Sequence, residues 1–171
     1  PTACTTESSK VAAEKSFRRI MLKNILFVCT GNTCRSPMAE FMLKDALKKK
    51  GVKGVRVASA GLCADEYGTI NELAKKTLRK NGVAVRKFKS RQIDGGMVEK
   101  ADMVLCMTQN HKNALPEMDK IKTLGEVTDM PDIGDPYGGG EAVYTLCYAQ
   151  LKTEIEKLVE TLWPEESKTK N

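Results

Sequence analysis

Residues 25–43 read ILFVCTGNTCRSPMAEFML, and this stretch decides the fold. The apolar run at 24–29 predicts a fully buried strand, because it is short and ends in a turn that contains glycine. Ser36 and Pro37 predict the start of a helix, since serine can cap free amides and proline fits the first helical position. Apolar side chains at helical spacing follow as far as Gly51, which predicts the helix end.

The remaining chain alternates in the same way between apolar runs and helical patterns. Further strands are predicted at 55–61, 101–107 and 120–124, and a long final helix is predicted to end near Leu162. We therefore predict an α/β fold, a single-domain doubly wound four-stranded parallel sheet with helices on both faces. Ligands of such folds bind beyond the carboxyl ends of the strands, so the loop after the first strand is the candidate site.

The two ends of the chain are expected to lie outside this domain, which is predicted to cover 21–163. Residues 1–20 lack an initiating Met and the apolar core of a secretory signal, so we interpret them as a disordered extension or an expression remnant. Residues 164–171 are polar and are expected to form a frayed tail.

The composition of the chain argues against membrane and nucleic-acid partners. Hydrophobic residues make up 41% and charged residues 29% of the 171 positions, as in soluble globular proteins. No apolar run is long enough to span a bilayer, so no membrane partner is expected. The net charge is +6, but the basic residues are spread along the chain and aromatics are only 5%, which argues against a nucleic-acid partner.

The cysteine pattern argues against a metal site. Six cysteines form no CxxC pair, and His111, which we interpret as a surface residue, is the only histidine. Cys106 and Cys147 lie in apolar patterns and are expected in the core. Cysteines this sparse favour a reducing, cytoplasmic setting over a disulfide scaffold. The sequence leaves the oligomeric state open.

Cys29 and Arg35 are separated by five residues, a spacing that suits a phosphate-binding loop. Such a loop can curl around a tetrahedral anion with its amides pointing inward, and the following helix adds its positive end. Gly31 would let the backbone approach the ligand, and Arg35 can hold two phosphate oxygens at once. The same positive field should favour the thiolate of Cys29, a nucleophile for phosphorus.

A second segment, GDPYGG at 134–139, supplies the candidate general acid. Asp135 could protonate a leaving group and later activate water, which would hydrolyse a phosphocysteine. Pro136 would stiffen this loop, and Tyr137 could form a wall of the site.

VCTGNTCRSPMAE at 28–40 together with DPYGG at 135–139 resembles the low molecular weight protein-tyrosine-phosphatase family. The resemblance implies a phosphorylated protein substrate, with Cys29 as nucleophile, Arg35 as transition-state clamp and Asp135 as general acid. It also implies that Ser59 supports the loop and that no cofactor or metal is needed. The implied phosphate-binding residues are Thr30, Gly31, Asn32, Thr33, Cys34, Ser36 and Tyr137. Among these, Asn32 and Ser36 would hold the loop in shape.

Thr33 marks a departure from the tyrosine-specific members, many of which carry a bulky aliphatic residue there. Threonine at this position, and glycines rather than aromatics after Tyr137, resemble the protein arginine phosphatase branch. A small hydroxyl residue suits the polar guanidinium of phosphoarginine, whereas aliphatic and aromatic walls suit a phenyl ring. We therefore favour phosphoarginine and keep phosphotyrosine as the alternative. Cys34 is either a bystander or a disulfide partner that protects oxidised Cys29.

Two other functions are less favoured. A thioredoxin-coupled arsenate reductase has a similar loop but needs two further relay cysteines, and here Cys106 supplies at most one. A non-catalytic phosphate-binding module would need neither the thiol of Cys29 nor the carboxyl of Asp135.

Overall fold

The computed structural model describes residues 10, 11 and 22–165. The expected extension at 1–20 therefore lies outside the described residues except for Lys10 and Val11, which are helical. The expected tail at 164–171 lies outside them except for residues 164 and 165. The proposed domain limits thus stay predictions.

Four parallel strands form one sheet in the order β2-β1-β3-β4, which confirms the predicted fold class. The strands are β1 (Asn24–Cys29), β2 (Arg56–Gly61), β3 (Met103–Cys106) and β4 (Ile121–Thr123). Cys29 lies opposite Gly61, and Val28 lies opposite Cys106. The carboxyl ends of the three longest strands therefore meet at one edge, where the loop after β1 begins.

Six helices connect and cover the strands within the described part of the chain. They are α1 (Arg35–Lys50), α2 (Glu72–Lys80), α3 (Gly95–Lys100), α4 (Gln109–Asn113), α5 (Leu124–Thr128) and α6 (Glu141–Leu162). The sequence pattern did not predict α3 and α5, because helices of six and five residues show no full apolar period. Their caps hold them instead: Asp94 accepts from the Met97 amide, and Thr123 and Glu126 form a capping box.

Side chains of β1 alternate between two apolar layers, which confirms helices on both faces. Ile25 and Phe27 pack with side chains of α1, α2 and α6, whereas Leu26 and Val28 pack with Val98 of α3 and its surroundings. Burying a side chain the size of Phe27 contributes about 1.5–3 kcal/mol. Within residues 10, 11 and 22–165, no helix combines the length and the apolar content that a membrane crossing needs.

The start of α1 differs from the prediction. The helix begins at Arg35, Cys34 takes the N-cap position, and no side chain caps the helix. The expectation that Ser36 caps it was wrong, because the Ser36 hydroxyl contacts Cys29 and Asn32 instead. The predicted helix end is confirmed: Gly51 has a φ of 73°, a left-handed conformation that suits glycine.

A buried carboxyl on α6 makes the stability of the fold depend on pH. Glu154 is fully buried, and its Oε2 accepts a hydrogen bond from Thr128 Oγ1 at 3.1 Å. Burial raises the pKa of Glu154 from 4.5 to about 7. The folded protein thus keeps a proton that the unfolded chain releases, so this group lowers the free energy of unfolding as the pH rises from 4.5 to about 7.

We expect Glu154→Gln to raise the free energy of unfolding by about 2 kcal/mol at about pH 8 and to change it little at about pH 5. The reason is that a neutral amide never has to hold a negative charge in the core. Urea unfolding at both pH values measures this difference. Glu160→Gln on the exposed face of α6 is the control, and an equal gain from both variants would contradict the prediction.

Candidate active site

The CxxxxxR loop, residues 29–35, joins the end of β1 to the start of α1. Cys29 is the last residue of β1 and is 3% exposed. The loop enters α1, a helix of 16 residues whose N-terminus carries a partial positive charge. An anion bound in this loop would therefore meet free amides and a favourable dipole.

Asn32 is the fully buried centre of the loop and has a φ of 53°, which is uncommon for a residue other than glycine. Its Nδ2 donates to Ser36 Oγ and to Ser59 Oγ, both at 2.9 Å. Its Oδ1 accepts from the Arg91 amide and its carbonyl from Ser90 Oγ, also at 2.9 Å. These four bonds hold the strained turn in one conformation.

The sulfur of Cys29 lies 2.9 Å from Ser36 Oγ. Because Asn32 already donates to Ser36 Oγ, the proton of that hydroxyl is available to the sulfur or to the Ala60 carbonyl at 3.4 Å. A thiolate would attract this proton more strongly than a thiol would. The contact therefore places a hydrogen-bonding hydroxyl beside the sulfur of Cys29.

Arg35 and Asp135, 100 positions apart in the chain, form an ion pair beside the loop. Arg35 Nη2 lies 3.0 Å from Asp135 Oδ2, and Arg35 Nη1 donates to the Ile133 carbonyl at 3.2 Å. The Arg35 side chain is 6% exposed and that of Asp135 is 54% exposed. The carboxyl is thus held at the entrance and the guanidinium is held inside.

The segment that carries Asp135 is tied to the sheet. The Ile133 amide donates to the Met107 carbonyl at 2.9 Å, just beyond β3. The Tyr137 amide donates to Asp135 Oδ1 at 3.2 Å, and Gly138 has a φ of 79°. The Tyr137 side chain is 76% exposed, so its ring is open to solvent.

The second thiol of the loop has a different environment. Cys34 is 5% exposed, and its sulfur lies 3.2 Å from the Tyr144 hydroxyl. Burial raises the pKa of Cys34, which keeps it protonated at neutral pH. Thr33 Oγ1 lies 3.6 Å from the same sulfur. Cys29 and Cys34 are both free, and a disulfide between them stays a prediction.

His111 is buried at 6% exposure, so its interpretation as a surface residue was wrong. Its Nε2 lies 2.9 Å from Thr30 Oγ1, and its Nδ1 lies 2.9 Å from Thr108 Oγ1. Burial, and then the charge of Arg35, lower the pKa of His111, so the ring is neutral at neutral pH. The ring thereby ties the CxxxxxR loop to the cap of α4, a contact between distant segments that a lone histidine does not reveal.

Glu40 is a further buried group that sequence reasoning missed. It is 3% exposed, accepts from Ser59 Oγ at 2.5 Å and lies 3.2 Å from Arg91 Nη2. Lys44 also pairs with it. The spacing of Ser36 and Glu40, four residues apart on α1, places both on one helix face and is the signal that would have found it.

Gly61 supports the loop by having no side chain. A Cβ there would lie 2.6 Å from the Thr30 carbonyl oxygen and 2.9 Å from the Asn32 amide nitrogen, which is closer than real contacts allow. At Gly31, by contrast, a Cβ would meet only Thr33 Oγ1, at 3.6 Å. The close approach of two chain segments therefore occurs at Gly61.

The structure thus brings the CxxxxxR loop and Asp135 together at the sheet edge, whereas no side-chain hydrogen bond among the described residues joins Tyr137 to the loop. Residues 24–168 match the family model described as low molecular weight phosphotyrosine protein phosphatase. The chain belongs to this family. The predicted family and class of hydrolase are thereby confirmed. Within residues 10, 11 and 22–165, no group of three or more His, Cys, Asp or Glu side chains is arranged to hold a metal ion.

Three relatives illustrate the range of the family. The chain is 39% identical over 149 residues to a protein-arginine-phosphatase of Geobacillus stearothermophilus. This match covers 83% of the chain and 97% of the relative. The chain is 30% identical to the probable low molecular weight protein-tyrosine-phosphatase AmsI of Erwinia amylovora, over 83% of this chain and 99% of AmsI. A solved structure of a YwlE arginine phosphatase mutant with a phosphorylated active-site serine matches with a TM-score of 0.76 at 36% identity, over 81% of this chain and 95% of that one.

Proposed function

We propose that this member of the family hydrolyses phosphorylated protein side chains, preferably phosphoarginine, through a phosphocysteine on Cys29. The observation that supports it most is the joint placement of the Cys29–Ser36 contact and the Arg35–Asp135 ion pair at one sheet edge. A nucleophile, an anion clamp and a proton donor are the parts that phosphoryl transfer needs.

In the first step, the thiolate of Cys29 attacks phosphorus in line with the leaving group. The bond from phosphorus to nitrogen or oxygen breaks, an S–P bond forms, and the protonated carboxyl of Asp135 gives its proton to the leaving nitrogen or oxygen. Arg35 and the loop amides stabilise the charge on the equatorial oxygens. Because phosphate attracts the same guanidinium, a bound substrate loosens Asp135 for this transfer.

In the second step, the Asp135 carboxylate takes a proton from water as the oxygen attacks phosphorus. The S–P bond breaks, inorganic phosphate leaves, and the thiolate of Cys29 is restored with Ser36 beside it. The phosphorylated active-site serine of the YwlE mutant supports an intermediate of this kind.

Thr33 supports the preference for phosphoarginine. Its side chain is half-buried, and its carbonyl accepts from the Asn71 amide at 2.8 Å, which fixes its backbone. The relative with 39% identity is named a protein-arginine-phosphatase, whereas AmsI, at 30% identity, is named a probable protein-tyrosine-phosphatase. Phosphotyrosine remains the second candidate because the exposed ring of Tyr137 could stack on a phenyl group.

We expect kcat/KM to be higher for phosphoarginine peptides than for phosphotyrosine peptides of the same sequence. Thr33→Ile should shift this ratio about tenfold toward phosphotyrosine, since it removes a hydroxyl and adds apolar surface. Rates measured side by side on both peptides test this. Thr33→Ser is the control that keeps the hydroxyl, and an unchanged ratio in Thr33→Ile would remove the basis for the phosphoarginine preference.

The cysteine thiols bear on two earlier predictions, the reducing cytoplasmic setting and the less favoured arsenate reductase activity. All five cysteines of the described chain are free, which supports our proposal of a cytoplasmic location. Cys106 is fully buried, and burial raises its pKa to about 12, so it is poorly suited to a thiol relay. These features favour hydrolysis over arsenate reduction.

A further inference from the structure

A groove of about 700 Å³ lies between α1 and the irregular segment 84–91, apart from the sheet edge that carries Cys29. Two carboxylates line this groove, those of Glu40 and Asp45. Its cationic side chains are Lys44, Lys48, Arg86, Lys87, Lys89 and Arg91. The groove therefore has a net positive charge.

The carboxylates of the groove are already paired. Glu40 is buried between Lys44 and Arg91, and Asp45 lies 2.6 Å from Lys49 Nζ. Among the described residues, four exposed cations of the groove have no carboxylate within 4.0 Å, namely Lys48, Arg86, Lys87 and Lys89. Their like charges gather around one concave surface and repel one another. A negatively charged partner would relieve this repulsion.

The base of the groove is apolar. Phe41 and Phe88 contact one another with ring centroids 5.9 Å apart and planes tilted by 60°. Phe41 is 6% exposed and Phe88 is half-buried, so the pair offers little open ring surface. Single-stranded nucleic acids need open aromatic faces on which bases stack. An apolar base between cationic rims instead suits a peptide with carboxylates on both sides.

We propose that this groove docks an acidic segment of the substrate protein. Its inner end adjoins the CxxxxxR loop, because Glu40 accepts from Ser59 Oγ and the Arg91 amide donates to Asn32 Oδ1. A docked segment would hold the partner beside the site and raise the local concentration of its phosphorylated residue. The catalytic benefit rests on the proposed function, whereas the docking does not.

Fluorescence anisotropy of a labelled, unphosphorylated glutamate-rich peptide at low ionic strength tests the docking without turnover. The groove variant combines Arg86→Gln, Lys87→Gln and Lys89→Gln. The control variant combines Lys53→Gln, Lys100→Gln and Lys122→Gln, exposed lysines outside the groove with the same change of charge. We expect the groove variant to weaken binding about tenfold and the control to change it less than about twofold.

Equal weakening by both variants, or no binding by the intact protein, would overturn the proposal. Tighter binding of a labelled oligothymidylate than of the peptide would also overturn it, in favour of a nucleic-acid surface. Turnover of p-nitrophenyl phosphate should be unchanged in the groove variant, while KM should rise for a phosphopeptide with an acidic tail. If no variant or wild-type protein hydrolyses either substrate but the peptide still docks selectively, the proposed function fails and the docking stands.

Discussion

Replacing Cys29 by serine is expected to lower hydrolysis of p-nitrophenyl phosphate by at least about 10⁴-fold. A serine hydroxyl is not ionised at neutral pH, so the loop would hold an anion without an effective attacker. The bonds of Asn32 and the ion pair of Arg35 do not involve the sulfur and should persist. Steady-state rates measure the loss, and calorimetric titration with inorganic phosphate measures the retained binding.

Cys63→Ser is the matched control, because Cys63 is free and exposed. It should keep nearly full activity, which would separate the role of one thiol from a general effect of cysteine replacement. Substantial turnover in Cys29→Ser would refute the phosphocysteine intermediate. If Cys29→Ser fails to bind phosphate because it does not fold, circular dichroism would show the loss of structure. Cys29→Ala then serves as the second variant.

Replacing Asp135 by asparagine should have the second largest effect. The amide oxygen can keep one of the two contacts, that with Arg35 Nη2 or that with the Tyr137 amide, but the side chain cannot give a proton to the leaving group. We expect a loss of about 10²–10³ in kcat/KM for aryl phosphates with poorly acidic phenols, and less than about tenfold for dinitrophenyl phosphate. A series of aryl phosphates measures how the rate depends on the pKa of the leaving phenol.

Asp132→Asn provides the control in the same segment. Its carboxylate accepts from the Gln109 amide at 2.9 Å, so it tests whether a nearby loop change alone lowers the rate. A uniform loss across all leaving groups in Asp135→Asn would argue for positioning of Arg35 rather than proton transfer.

The fold could be predicted where local pattern and tertiary role coincide. β1 has the predicted bounds because each of its residues after Asn24 is buried, so the apolar run ends where the strand ends. The helix at 124–128 could not be predicted, because a capping box that depends on Glu126 sustains it rather than an apolar face. Ser36 has the residue type of a helix cap, but contacts with Cys29 and Asn32 outweigh that local preference.

Some residues of the candidate site could be predicted from the sequence, and others could not. Cys29 and Arg35 could be predicted because their spacing lies within one short loop, and Asp135 because of its setting in a characteristic motif. Glu40 and His111 could not, because each acts through partners that only the fold brings near. Their contacts with Ser59 and Thr30 join segments separated by 19 and 81 positions.

The contact at Gly61 bears on attempts to transplant this loop. The seven residues from Cys29 to Arg35 look like a portable cassette, but their shape depends on a bare backbone in the adjacent strand. If only these seven residues were grafted into another parallel sheet, the host would need a glycine at the position equivalent to Gly61. Any other residue there would place its Cβ against the Thr30 carbonyl. The minimal transferable unit is therefore two neighbouring strands with their following turns.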